Sequence, residues 1–233
     1  MPPIVSFIGW HNSGKTTLAS RVVRHLQKRG YTVAVIKSTK EHNIGCDQTG
    51  TDTEIYRRNG ATGVMLVAPD QMVLRTPGQG KNLTALVHRY FADADIVIAE
   101  GFKHARRIAK VEVNRGEKKE LLRDQVTGVI AVATDRRLVG DYVFRLDESR
   151  ELADFLEKRF LTGEKVVPER VSLLVDGKKI ILKDFVQDIL ANTVYGLVNS
   201  LKAPDKAGTI ELRIQPVEGT NQPPDSMEKK QVQ

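Results

Sequence analysis

Apolar positions recur along this chain in two rhythms. Ile4 to Ile8 is a short, β-branched run that ends at Gly9, the pattern of a buried strand. From Thr16 the spacing lengthens. Leu18, Val22 and Leu26 fall at every fourth position with Ala19 and Val23 beside them, which predicts one apolar helix face. Gly30 supplies a stop, and Tyr31 to Ile36 reads as a second apolar strand. Strand, turn, helix, strand is a βαβ unit, so the two strands should run parallel with a right-handed crossover.

The same reading continues down the chain. Thr39 to Thr53 is a polar loop and Thr53 to Asn59 a short helix. Gly63 to Ala68 and Met72 to Arg75 are strands joined by a Pro69-Asp70 turn. After a Pro/Gly-rich loop, Thr76 to Asn82, Leu83 to Phe91 is an amphipathic helix. Ile96 to Ala99 is fully apolar and ends at Glu100-Gly101; Ile108 to Val113 and Val126 to Ala133 are further strands. Ser149 to Phe160 closes the domain as a helix with Leu152, Phe155, Leu156 and Phe160 as its stripe.

Thr162 to Pro168 reads as a linker. Beyond it, Val171 to Val175 and Lys178 to Leu182 flank Asp176-Gly177, a hairpin signal. Phe185 to Leu201 is an amphipathic helix and Thr209 to Ile214 alternates as a strand. The expected architecture is therefore α/β. Residues 1–162 form a three-layer P-loop NTPase fold with a mostly parallel central sheet. Residues 163–216 form a small α+β (ββαβ) module, and the polar residues 217–233 form a disordered tail.

Composition narrows the setting. No apolar run approaches the roughly 20 residues of a membrane span. The N-terminus leads straight into a strand, unlike a signal peptide. The single cysteine, Cys46, rules out an intrachain disulfide and suits a reducing cytosol, so the expected location is cytoplasmic. The formal charge of +7 favours anionic partners. The basic residues are scattered, without aromatic interleaving, so a phosphate-bearing small molecule is favoured over nucleic acid.

Gly9-Trp10-His11-Asn12-Ser13-Gly14-Lys15-Thr16 matches G-x-x-x-x-G-K-[ST] and sits between the first strand and the first helix. Glycines let the backbone turn so that successive N–H groups converge on phosphates, and the helix N-terminus favours anions. The expected nucleotide set is Gly9, Asn12, Ser13, Gly14, Lys15, Thr16 and Thr17. Lys15 reaches the β- and γ-phosphates, and the Thr16 hydroxyl ligates Mg²⁺. Such a site needs a second carboxylate at the end of a neighbouring strand. Glu100, just past an apolar strand, supplies it. Asp52 is either a further acid near the metal or its water, or a cap on the helix that follows.

Together with Ile36-Lys37, Gly50-Thr51-Asp52-Thr53, Asn59-Gly60-Ala61 and Glu100-Gly101-Phe102-Lys103, this loop resembles the molybdopterin-guanine dinucleotide biosynthesis protein B family. The Glu-Gly-Phe-Lys segment is the most telling. The resemblance spans about Ile4 to Phe160, with Val171 to Ile214 as an extension. It implies a P-loop GTPase-type fold, GTP and Mg²⁺ binding, and weak GTP hydrolysis. It also implies an accessory role in attaching GMP to molybdopterin, giving the guanine dinucleotide. A separate nucleotidyltransferase would be the partner, and the chain would be a homodimer. Two departures from the family are Ser38, where histidine usually stands, and the loop Thr39-Lys40-Glu41-His42-Asn43, usually richer in histidine and aspartate; both put the pterin and partner contacts in question.

Guanine readers place an aspartate after a strand to accept the ring N1 and amino protons. Asp135, in Ala133-Thr134-Asp135, is either that acceptor or an ordinary loop acid. Lys37 and Lys103 follow strands expected to end on the P-loop side, where α/β sheets bind ligands. Each is read as a phosphate or pterin contact, or as a surface lysine. His42, Cys46 and Asp47 lack a metal-binding frame. His11 is read as a loop spacer. Two rival functions stay open: a small-molecule kinase with Asp52 as base, and a nucleotide-gated adapter in which hydrolysis plays no part.

Overall fold

Strand β1 (Ile4–Ile8) lies inside a six-stranded sheet. On one side stand β5 (Ile96–Glu100) and then β2 (Val33–Lys37). On the other stand β6 (Ala109–Asn114), β7 (Val129–Thr134) and β8 (Val143–Phe144). Every pairing in this sheet is parallel. The computed structural model describes residues 1–42, 44, 50–78, 82–116, 120–162, 170–176, 178–201, 209–212 and 214. The expected disordered tail, 217–233, lies outside them.

Alternation along the strands builds two cores. Val5, Phe7, Ile96, Ile98, Val111 and Val113 face helices α1 (Lys15–Lys28) and α4 (Ser149–Phe160), meeting Leu18, Val22, Leu26, Leu152 and Leu156. On the other face Ile4, Val97 and Ala99 meet Leu83 and Val87 of α3 (Leu83–Tyr90). Helix, sheet, helix is the three-layer fold expected. Helix α1 ends as anticipated at Gly30, whose φ is 91°. There the Gly30 N–H donates to Gln27 O at 3.0 Å and the Tyr31 N–H to Leu26 O at 3.3 Å, closing the last turn. Arg29 then pairs with Asp154 and Glu157, and Tyr31 Oη donates to Glu157 Oε1 at 2.9 Å, tying α1 to α4.

Strand β6 departs from simple alternation. Lys110, Glu112 and Asn114 share the face opposite Val111 and Val113, and all three are buried. Lys110 Nζ donates to Ala105 O and Thr127 O, each at 2.7 Å, and to Ile108 O at 3.2 Å. Burial pushes its pKa down. Glu112 accepts the N–H groups of Leu122 and Arg123 at 2.7 and 2.8 Å, capping the 3-10 turn Leu122–Asp124.

Helix α2 (Asp52–Arg58) leads into a hairpin, β3 (Val64–Val67) and β4 (Met72–Arg75), whose strands, among the described residues, pair only with each other. Glu54 accepts the Gly50 N–H at 2.7 Å, which with Arg58 nearby holds its carboxyl below the usual range.

The chain divides into two compact units, Met1–Gln187 and Asp188–Gln233. The second hairpin, β9 (Leu173–Val175) and β10 (Lys178–Ile180), forms as expected and belongs to the first unit. Helix α5 (Asp184–Ser200) begins there and supplies most of the described part of the second. The strand expected over Thr209 to Ile214 is a correction. The described residues 209–212 and 214 are not strand.

Candidate functional site

The loop between β1 and α1 passes very close to β6. A β-carbon on Gly9 would stand 2.2 Å from Val113 O and 2.6 Å from Ser13 Oγ, so no larger residue fits without moving backbone. Asn12 (φ 59°) and Gly14 (φ 91°) take left-handed conformations that aspargine-like and glycine residues tolerate. These turns bring the loop round to Lys15, the first residue of α1. No side chain caps that helix start. Ser13 is buried and its Oγ has no hydrogen-bond partner. Lys15 Nζ folds back onto its own loop, donating to Gly9 O at 3.2 Å and Trp10 O at 2.7 Å. An orphaned hydroxyl, uncapped helical N–H groups and a lysine at the loop's mouth fit a bound phosphate chain.

Three predicted residues meet beside this loop. Thr16 Oγ1 lies 2.9 Å from both Glu100 Oε1 and Oε2. Lys37 Nζ stands 3.3 Å from Glu100 Oε1 and 3.4 Å from Thr16 Oγ1. Strand register explains the meeting: Glu100 is level with Phe7 on one side and Lys37 on the other. The end of β5 is pinned by Ser38 N–H to Glu100 O (2.9 Å), Gly101 N–H to Phe7 O (3.0 Å) and Ser6 Oγ to Gly101 O (2.7 Å). Gly101 has φ 97°, and a β-carbon there would crowd the Ser38 side chain at 3.2 Å. A hydroxyl and a largely buried carboxylate are hard oxygen donors, a set that fits Mg²⁺ shared with nucleotide phosphates.

The remaining candidates are spread around this centre. Lys103 Nζ sits 5.8 Å from the Trp10 ring centroid, in cation–π range, and Trp10 Nε1 donates to Glu120 O at 2.9 Å. Lys103 thus reaches the P-loop through its second residue. Thr17 is exposed on α1 next to Thr16. Asp52 opens α2 as an exposed residue, and it makes no hydrogen bond or ion pair with Thr16, Lys37 or Glu100. Asp135 lies just past β7, where its Oδ1 accepts the Gly116 N–H at 2.9 Å. One carboxylate oxygen is therefore engaged in holding the backbone at Gly116, just past β6. Cys46 and Asp47 lie outside the described residues, as do residues 43 and 45 of the altered loop. Among the described residues no group of three His, Cys, Asp or Glu side chains could hold a metal alone.

Sequence reasoning missed Arg115. It follows β6, and a β-carbon on Gly14 would lie 3.6 Å from its Nη2 and 3.8 Å from its Cζ. Nothing in the P-loop motif marks it. The only available signal was its place one residue past a strand that neighbours β1.

Residues 4–135 match the family described as molybdopterin guanine dinucleotide synthesis protein B. The molybdopterin-guanine dinucleotide biosynthesis adapter protein of Escherichia coli is 32% identical over 165 residues, covering 67% of this chain and 92% of its own length. A relative from Methanocaldococcus jannaschii is 27% identical over 240 residues, 91% of this chain and 97% of its own length, so it shares the C-terminal extension. A crystal structure of molybdopterin-guanine biosynthesis protein B superposes with a TM-score of 0.54 at 30% identity, covering 67% of this chain and 99% of that one. The Bacillus subtilis MobB structure shares the fold, with a TM-score of 0.54 at 24% identity over 70% of this chain and 99% of its own. The chain belongs to the molybdopterin-guanine dinucleotide biosynthesis protein B family.

Proposed function

We propose that this protein binds GTP with Mg²⁺ and acts as an adapter in converting molybdopterin to its guanine dinucleotide, with slow hydrolysis of GTP to GDP and phosphate. The observation that carries the reading is the meeting of Thr16, Glu100 and Lys37 beside the loop Gly9–Thr16. An NTPase needs its hydroxyl and its carboxylate within reach of one cation, and here they are in direct contact. Thr16 and Glu100 would hold Mg²⁺, which would supply positive charge against the phosphates. Lys15 would leave the Gly9 and Trp10 carbonyls for the phosphate chain, and the loop N–H groups would bind the phosphate oxygens. Lys37 would meet a phosphate of the nucleotide or pterin. Asp135 keeps one carboxylate oxygen for the guanine N1 and amino protons.

The names of the relatives support the adapter role, and the partner proposed for it is a separate nucleotidyltransferase. Homodimerisation is supported by the hairpin β3–β4, which exposes Met65, Leu66, Val67, Met72 and Val73. Among the described residues no helix is long and apolar enough to cross a membrane, which accords with a cytoplasmic setting.

The experiment is calorimetric titration with GTP and then ATP, each with Mg²⁺, on the wild type and Lys15→Ala. Preferential GTP binding that Lys15→Ala abolishes supports the reading. Equal or tighter ATP binding overturns the guanine assignment and Asp135 with it. No nucleotide binding at all overturns the site.

A further inference from the structure

Cations flank the phosphate loop on both sides. On the β5 side Lys37 is neutralised by Glu100 at 3.3 Å. On the β6 side stands Arg115, and among the described residues no acid pairs with it. Its guanidinium lies against Gly14, at van der Waals range from where a β-carbon would be. This is the residue whose left-handed turn leads into Lys15 and the start of α1.

The position is built, not incidental. Val113 O touches Gly9, which fixes the end of β6 against the loop. Asn114 is buried and registered with Thr134. On the far side of Arg115, the Gly116 N–H is held by Asp135 Oδ1 at 2.9 Å. The arginine thus sits between a buried strand end and an anchored Gly116. That leaves the exposed side chain to reach over the loop.

We propose that Arg115 is a second cation of the phosphate site, contacting the polyphosphate of the bound nucleotide from the β6 side. This rests on the nucleotide-binding reading above. Arginine stays charged at any working pH, and its planar fork can take two phosphate oxygens at once. With Lys15 it flanks the start of α1, while Glu100 and the cation it would hold occupy the other side. Asp135 then acts as a positioning residue through Gly116, in addition to any role at the base.

The test compares wild type, Arg115→Ala, Arg115→Lys and Lys15→Ala. Each is titrated with GTP, GDP and inorganic tripolyphosphate in the presence of Mg²⁺. Arg115→Ala should weaken all three ligands by about tenfold or more, the loss of a charge-assisted contact. Arg115→Lys should recover part of this, and the melting temperature without ligand should stay at the wild-type value, since the side chain is exposed. If GTP and GDP bind Arg115→Ala as tightly as wild type while Lys15→Ala abolishes binding, the site reading stands and the proposal is overturned. If GTP binding falls and tripolyphosphate binding does not, Arg115 faces the base, and the proposal is again overturned. Failure of the wild type to bind any of the three overturns the underlying site reading itself.

Discussion

The Thr16 hydroxyl stands 2.9 Å from each carboxylate oxygen of Glu100, across 84 residues of sequence. A hydroxyl has one proton, so it donates to one oxygen at a time, and Lys37 balances the charge at 3.3 Å. Thr16 comes from α1, Glu100 from β5 and Lys37 from β2. Parallel register sets Glu100 and Lys37 side by side at the carboxyl ends of adjacent strands, and the loop after β1 brings Thr16 to them, the place where open α/β sheets collect ligands.

Glu100→Gln keeps the shape of this contact and removes its charge. If Glu100 holds Mg²⁺, the Mg²⁺ concentration for half-maximal GTP turnover should rise by about 10–100-fold, the usual cost of disturbing a metal's oxygen set. Lys37 would also lose its counter-charge. Turnover is measured against Mg²⁺ concentration at saturating GTP. An unchanged Mg²⁺ profile would remove Glu100 from the metal site.

Much of this was legible in the sequence because it is local. The period of Leu18, Val22 and Leu26 places α1, the stripe of Leu152 and Leu156 places α4, and the apolar run before Glu100 places β5. Non-local facts were not legible. In Ile108 to Val113, Lys110 and Glu112 alternate with apolar residues, the usual sign of a solvent face. Both are buried because the segments around Ala105, Leu122 and Thr127 cover that face and offer them backbone partners. Arg115 belongs to the same class, since its importance comes from the neighbouring strand. Thr209 to Ile214 errs in the opposite direction. Its alternation is real, but alternation alone does not make a strand without a pairing edge, and the described residues there are not strand.

Lys110→Met tests the buried lysine. The side chain keeps its bulk, but the carbonyls of Ala105, Ile108 and Thr127 lose their donor. Leaving buried acceptors unpaired should cost about 2–4 kcal/mol in total. Burial lowers the pKa of Lys110, so the folded state gives up this proton more readily than the unfolded chain. The penalty for burying the charge is full below the folded pKa and is relieved as pH rises through it. Urea denaturation of both proteins at neutral pH reads the difference. A midpoint equal to that of the wild type would show that water replaces the ammonium at no cost.

Asp95 gives a dependence of the opposite sign. Its Oδ2 accepts both the hydroxyl and the N–H of Thr32, each at 2.7 Å, at the start of the β2–β5 pairing. The Thr32 hydroxyl, followed by its N–H, holds the Asp95 pKa below the ordinary value. The resulting stability is present above the unfolded pKa of about 3.9 and is lost as pH falls through the folded value. Asp95→Asn should therefore be less stable than wild type by a constant margin above about pH 5, shrinking below about pH 4. Thermal unfolding across pH 3 to 7 gives the comparison. A margin independent of pH would mean that hydrogen bonding alone, without charge, does the work at this position.

The hairpin β3–β4 carries the last prediction. A two-stranded hairpin is marginally stable in water. Among the described residues this one pairs with no other strand, and it leaves Leu66 and Val67 54% and 70% exposed on opposite faces. Apolar residues on both faces of a free hairpin suit burial against a second copy of the same element, where each edge also gains a strand partner. Replacing Leu66 with Glu and Val67 with Lys should convert a dimer into a monomer, while GTP binding at Gly9–Thr16 persists because none of the site's contacts involves β3 or β4. Light scattering after size exclusion gives the mass, and GTP titration of the same sample gives the site. A wild type that is monomeric at micromolar concentration, or a double variant that stays dimeric, would move the dimer surface elsewhere or remove it.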